Sequence, residues 1–345
     1  MDRLPVIDVT PLVADGGADA VAAVGRAIDA ACRDLGFFVV VGHGVEPVLR
    51  QRLEALAREF FALDDAEKAA VSMDRGGRAW RGWFPVGHEL TAGVPDRKEG
   101  FYFGAELGPD DPRVRAGAPL HGANLFPARP AELREAVLTY LDALTSLGHA
   151  LMAGMATGLG LDPGWFRDHL TTDPLILFRI FAYPPEPADD TTGWGVAEHT
   201  DYGLLTILGQ DSTPGLEVRT PDGWVDAPPV PDSFVCNLGD MLERMTAGRY
   251  RSTPHRVRNR SGTTRLSFPF FFDPGWDADV RAVPGMEASR AAADRGTRWD
   301  GADVHAFEGT YGDYLLAKVS RVFPGLSEEV LDGTRSPRSA TPDRR

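Results

Sequence analysis

Cysteine is nearly missing from this chain: two thiols, Cys32 and Cys236, serve 345 residues. Neither stands in the paired spacing of a thiolate metal site, and two cannot build a disulfide framework. Both are expected to be small buried hydrophobes. Positive charge is also short. Lys and Arg total 36 against 50 Asp and Glu, a formal charge of −14. That balance argues against a nucleic-acid partner, whose phosphates select basic surface, and against docking on anionic membrane. The opening "MDRLPVIDVTPL" has no basic start leading into an apolar run, so it does not read as a signal peptide. No apolar run in the sequence matches a membrane span. A cytoplasmic protein is expected, and nothing specifies a protein partner.

What is present is enough apolar residue, 43%, to bury a large core in one domain or two merged layers. "LPVIDV" and "GFFVVVGHGV" read as strands. Between them Val21, Val24, Ile28, Cys32 and Leu35 recur at helical spacing, and Leu53, Leu56, Phe60 and Leu63 mark a second helix. Residues 77–130 are rich in Gly and Pro without a sustained period, which usually marks a functional or flexible stretch. A long helix is expected over 131–158. The period then falls to two. "LILFRIFAYP", "GVAEHTDY", "LLTILGQD", "LEVRTPDGWVDAP", "SFVCNLGD", "YRSTPHRVRN" and "TRLSFPFFFDP" predict short strands punctuated by Gly, Pro, Asp or Asn. Strands at such intervals suggest a jelly roll or related barrel. A last helix over 311–323 precedes a polar tail expected to be disordered. The resulting division is an N-terminal α/β region over 1–130, a packing helix over 131–172, a jelly-roll catalytic core over 173–285, a helical region over 286–333 and a tail over 334–345.

Residues i and i+2 of a strand share a face, so His199 and Asp201 in "AEHTDYGLLTIL" are expected to aim inward together. Alone, this pair reads more readily as a solvated strand end. His255, in another expected barrel strand, adds a third donor. Two imidazoles and one carboxylate suit the facial set of non-haem Fe(II), although three ligands and a water would also suit zinc. Ten residues on, Arg265 and Ser267 are again two apart. A guanidinium fork with a hydroxyl beside it matches a carboxylate, and an outward-facing strand arginine is the plain alternative.

With these motifs in order, the chain resembles the Fe(II)- and 2-oxoglutarate-dependent oxygenases of the isopenicillin N synthase-like group. The likeness runs from "PVIDV" and "GFFVVVGHGV" through "HTDYGLLTIL" and "NLGD" to "STPHRV" and "RLSFPFFF". It implies a mixed α+β fold, with a distorted double-stranded β-helix between flanking helices. It implies iron on His199, Asp201 and His255, with Arg265 and Ser267 on the distal carboxylate of 2-oxoglutarate. The implied reaction couples O2-dependent oxidation of a small organic substrate (hydroxylation, desaturation or cyclisation) to decarboxylation of 2-oxoglutarate to succinate and CO2.

Tyr183 matches a family tyrosine that helps bind co-substrate or substrate, or else is a packed aromatic. Phe181 stands where many plant members carry an asparagine. Arg179 shares the Tyr183 face and is expected either to meet an acidic substrate or to form a surface ion pair. Asn237 and Asp240 read as a structural turn, Asp240 satisfying backbone donors. Of the remaining histidines, His43, His121, His149, His169 and His305 read as surface or packing residues. His88 is kept as a substrate candidate with Trp83, Phe270 and Phe272, in a pocket also capped by Arg81, Phe101 to Phe103 and the loop before His199. Two related readings stay open: an oxidase of the isopenicillin N synthase type that uses no 2-oxoglutarate, and an ethylene-forming 2-oxoglutarate enzyme. A non-enzymatic jelly roll would leave the coincidence of motifs unexplained. A zinc hydrolase would lack a general base beside the metal.

Overall fold

The computed structural model describes residues 3–14, 16–91, 93–186, 193–286 and 307–322. Its strands, in chain order, are β1 (Val6–Asp8), β2 (Phe37–Val41), β3 (Gly82–Phe84), β4 (Leu90–Thr91), β5 (Val94–Pro95), β6 (Glu99–Gly104), β7 (Leu175–Tyr183), β8 (Val196–His199), β9 (Leu205–Gln210), β10 (Leu216–Thr220), β11 (Gly223–Asp226), β12 (Phe234–Leu238), β13 (His255–Val257) and β14 (Arg265–Asp273). An eight-stranded sheet runs β1-β2-β12-β9-β14-β7-β6-β3, and a four-stranded sheet runs β11-β10-β13-β8. Pairing is antiparallel except between β1 and β2. This is the double-layered jelly roll with helical flanks that the sequence predicts.

The helices cover the outer face of the large sheet. Ala18–Asp34 buries Val24, Ile28, Ala31 and Cys32, the stripe expected from helical spacing. Leu133–Gly158 lies across it and packs on the sheet, with Tyr140 against Phe178 at 5.1 Å. Gly160, at φ 78, ends that helix in the left-handed region where a side chain is strained. On length and composition alone this helix is long and apolar enough to cross a membrane, contrary to the expectation that no apolar run matches a span. Its buried face is instead occupied by core residues from Leu133 to Met155. Cys32 and Cys236 are free and buried.

Residues 77–130 are more regular than their composition suggests. β3 and β6 extend the large sheet beyond β7, and β4 with β5 forms a small hairpin. The short aromatic runs "EGFYFG" and "GWF" are strands because β7 offers an edge to the first and the first offers one to the second, a tertiary reason that no local period carries. The last helix is Tyr311–Val322. The expected disordered tail, His305 and most of the loop before His199 lie outside the described residues.

Candidate active site

A cavity lies between the two sheets, walled by β7, β9, β12 and β14 on one side and β8, β10 and β13 on the other. His199 closes β8 and His255 opens β13, opposite each other in the ladder. Nδ1 of His199 lies 2.8 Å from the Ala197 carbonyl, and Nδ1 of His255 lies 3.2 Å from that of Thr253. A carbonyl only accepts, so each ring carries its proton on Nδ1 and turns the Nε2 lone pair into the cavity. Burial lowers the His199 pKa. Burial, with His199 alongside, brings His255 down to about 4, so both rings stay neutral and able to ligate.

Asp201 reaches the same point by a different route from the one expected. β8 ends at His199, so Asp201 sits in the following turn and not on a shared strand face. Its backbone carbonyl accepts from Asp240 N at 2.8 Å, and its Oδ2 accepts from Thr206 Oγ1 at 2.5 Å and Asn237 Nδ2 at 2.6 Å. The turn can lie this close because Gly203 has no Cβ; one there would overlap the Asp273 carboxylate. Oδ1 is left facing the imidazoles, 3.9 Å from His199 Nε2 and 3.8 Å from His255 Nε2. Burial would raise the Asp201 pKa, but His255, His199 and the two hydrogen bonds outweigh it and keep the carboxylate charged. Among the described residues, these three form the one cluster able to hold a metal ion.

β14 carries the second group of predicted residues. Arg265, Ser267, Pro269, Phe271 and Asp273 line the cavity. Arg265 is fully buried; its Nη2 donates to Gln210 Oε1 at 2.8 Å, while Nε and Nη1 have no partner. Unpaired buried donors cost about 1–3 kcal/mol each, and more when charged, which an incoming carboxylate would offset. The Tyr183 hydroxyl lies 3.3 Å from Ser267 Oγ, and the Tyr183 ring faces the guanidinium at 5.1 Å.

The remaining candidates divide. Arg179 lines the cavity, held between the rings of Tyr102 and Phe271 at 4.3 and 4.8 Å, so it is not a surface ion pair. Phe270 and Phe272 do not line the cavity: strand alternation turns them to the helical side, where Phe272 meets His149 at 4.9 Å. Trp83 is likewise in the core, its Nε1 donating to Glu99 at 2.8 Å. Phe101 and Phe103 pack towards Phe60 and Phe178, while Tyr102 between them turns to the cavity side and donates to Glu89. Arg81 is buried away from the cavity, donating to the Leu120 carbonyl. His88 is exposed, and its neighbour Glu89 is the residue that enters the cavity.

Sequence reasoning passes over Glu89, Lys98, Asp273 and the role of Asn237. Asp273 is detectable in principle, since eight residues from Arg265 keeps it on the same strand face. Burial raises its pKa to about 7, and Tyr311 of the last helix donates to it. Glu89 and Lys98 carry no local signal. Asp240 accepts from the hydroxyls of Ser252 and Tyr314, tying the turn after β12 to the last helix.

Residues 172–274 match the family described as the 2OG-Fe(II) oxygenase superfamily, and residues 4–129 match that described as non-haem dioxygenase in morphine synthesis N-terminal. A probable iron/ascorbate oxidoreductase of Dictyostelium discoideum is 46% identical over 96% of this chain and 98% of its own. The chain belongs to the 2OG-Fe(II) oxygenase superfamily. A 2-oxoglutarate-dependent dioxygenase of Monascus ruber is 35% identical over 91% of this chain and 96% of its own. A full-length Neurospora crassa protein, crystallised in complex with alpha-KG, superposes with a TM-score of 0.76 at 25% identity, covering 92% of this chain and 96% of that one. This 2OG-Fe(II) oxygenase therefore uses Fe(II), O2 and 2-oxoglutarate to oxidise a small organic substrate. Its donor set fits that chemistry: two neutral imidazoles and a carboxylate converge, and a buried guanidinium nearby lacks an anion.

Proposed function

We propose that His199, Asp201 and His255 hold Fe(II), and that Arg265, Ser267 and Tyr183 seat the distal carboxylate of 2-oxoglutarate. The observation that carries this reading is the pair of unpartnered Arg265 donors in the same cavity as the three ligand atoms. Bound iron, with 2-oxoglutarate, supplies the activation of O2 that oxidises a C–H bond and releases succinate and CO2.

The chain's own residues do the positioning. Ala197 and Thr253 fix the imidazole tautomers, and Thr206 and Asn237 fix the Asp201 rotamer, so the donor atoms already face one another before loading. Arg265, tethered by Gln210, sets the direction from which a carboxylate approaches. Leu208, Leu216 and Val257 give the intervening wall an apolar surface that excludes water. A cytoplasmic setting accords with two unpaired buried thiols.

The test is succinate and ethylene formation from 2-oxoglutarate under air, with and without Fe(II), comparing the natural protein with Arg265→Leu. Iron-dependent succinate that is lost in the variant is expected. Ethylene as the main product would favour the ethylene-forming branch. Absence of both anaerobic 2-oxoglutarate binding and succinate would move the assignment to the oxidases that do without the keto acid.

A further inference from the structure

The end of the cavity away from Arg265 holds a second guanidinium with an unmet donor. Arg179 stands four residues before Tyr183 on β7, and Tyr183 is the register partner of Arg265. At about 3.3 Å per residue the two arginines are two pleats apart along the sheet, so one short carboxylate does not serve both. Arg179 Nε is buried without a partner. Its Nη1 lies 3.5 Å from Glu89 Oε1, at the limit of a hydrogen bond. That carboxylate is already engaged, since Tyr102 OH donates to Oε1 at 2.7 Å and Lys98 Nζ lies 2.9 Å from Oε2. Lys98 also pairs with Asp96, which accepts from Thr91. The network satisfies Lys98 and leaves Arg179 only a long contact with Glu89, while Asp201 and Asp273 act on it through space without a hydrogen bond to Nε.

The guanidinium is also pre-organised. The rings of Tyr102 and Phe271 hold it at 4.3 and 4.8 Å, so its plane is fixed without a ligand. The cavity also offers hydrocarbon surface, from Leu90, Leu177, Phe181, Phe271 and, in the last helix, Leu315. A fixed cation with a dry free donor selects an anionic acceptor over a neutral one, because charge-assisted bonds are roughly twice as strong.

We propose that the substrate is a small carboxylic acid with an apolar body, its carboxylate accepting from Arg179 while the body packs on Phe271, Phe181 and Leu315. This rests on the assignment of Arg265 to 2-oxoglutarate, which leaves Arg179 for a different anion.

The experiment uses the full chain, saturated with Fe(II) and 2-oxoglutarate under anaerobic conditions. Small aliphatic, aromatic and amino acids are titrated beside the primary amides of the same skeletons, reading melting temperature and calorimetric affinity. At least one acid is expected to stabilise the protein where its amide does not. Arg179→Gln should weaken that acid about tenfold or more while the amide moves less than twofold, and Arg179→Lys should recover only part. Equal binding of acids and amides, no acid-selective shift in the natural protein, or equal weakening of both by Arg179→Gln overturns the proposal. A shift with 2-oxoglutarate but none with any acid sinks this inference alone. No shift with 2-oxoglutarate itself sinks the Arg265 assignment with it.

Discussion

The two faces of β14 are built from one sequence run and have opposite purposes. On the cavity face Arg265, Ser267, Pro269, Phe271 and Asp273 alternate charge, hydroxyl and ring. On the other face Leu266, Phe268, Phe270 and Phe272 are uniformly apolar and buried. The core face is complete as it stands. The cavity face contains donors on Arg265 that nothing in the described protein satisfies. Stability therefore belongs to one side of the strand, and unmet bonding capacity to the other. The same contrast holds within the cavity: His199, Asp201 and His255 are each fixed by a hydrogen bond, whereas Arg179 and Arg265 keep an open donor.

Substitutions separate the two behaviours. Asp201→Ala or His255→Ala should reduce iron-dependent succinate formation to background, since each would remove one of the three proposed ligands; wild-type-like turnover by either would break the triad. Phe270→Ala should cost about 3–5 kcal/mol of stability, read by denaturant unfolding, while the folded fraction keeps its KM for 2-oxoglutarate. A changed KM at full stability would place Phe270 in the cavity after all. Arg265→Leu should do the reverse, raising KM for 2-oxoglutarate about tenfold or more with little change in melting temperature, because removing two unpaired buried donors offsets the lost bond to Gln210. Lys at that position should rescue only in part, lacking the fork. His88→Ala, at an exposed side chain, should stay within about 0.5 kcal/mol in stability and leave kinetics unchanged. A marked kinetic loss there would return His88 to the site.

Local chemistry makes much of this site legible. His199, Asp201, His255, Arg265 and Ser267 are readable because their types and order are costly to place by accident, and Tyr183 because alternation puts it on the matching face. At several positions local reading misses by one residue. It points to His88 in place of Glu89, and to Phe270 and Phe272 in place of Phe271 and Asp273. In a strand one step reverses the face, and without a partner strand the parity of a run such as "FPFFF" has no outside reference. Trp83 and Phe101 mislead for a related reason: aromatics in a Gly- and Pro-rich stretch suggest a cap, until β7 recruits that stretch into the sheet core.

The sequence alone determined the helical stripe of Ala18–Asp34, the punctuated strands that make the jelly roll, and the donor atoms offered to a metal and a carboxylate. These follow from period, propensity and side-chain chemistry, which act within a few residues. Only the tertiary structure decided that Asp201 arrives from a turn, braced by Thr206 and Asn237, and that Glu89, Lys98 and Arg179 share one buried network. Two of those relations, Asn237 with Asp201 and Arg179 with Glu89, join segments far apart in the chain. They arise when the two sheets close over one cavity, and burial there converts ordinary charged residues into partners that must be matched.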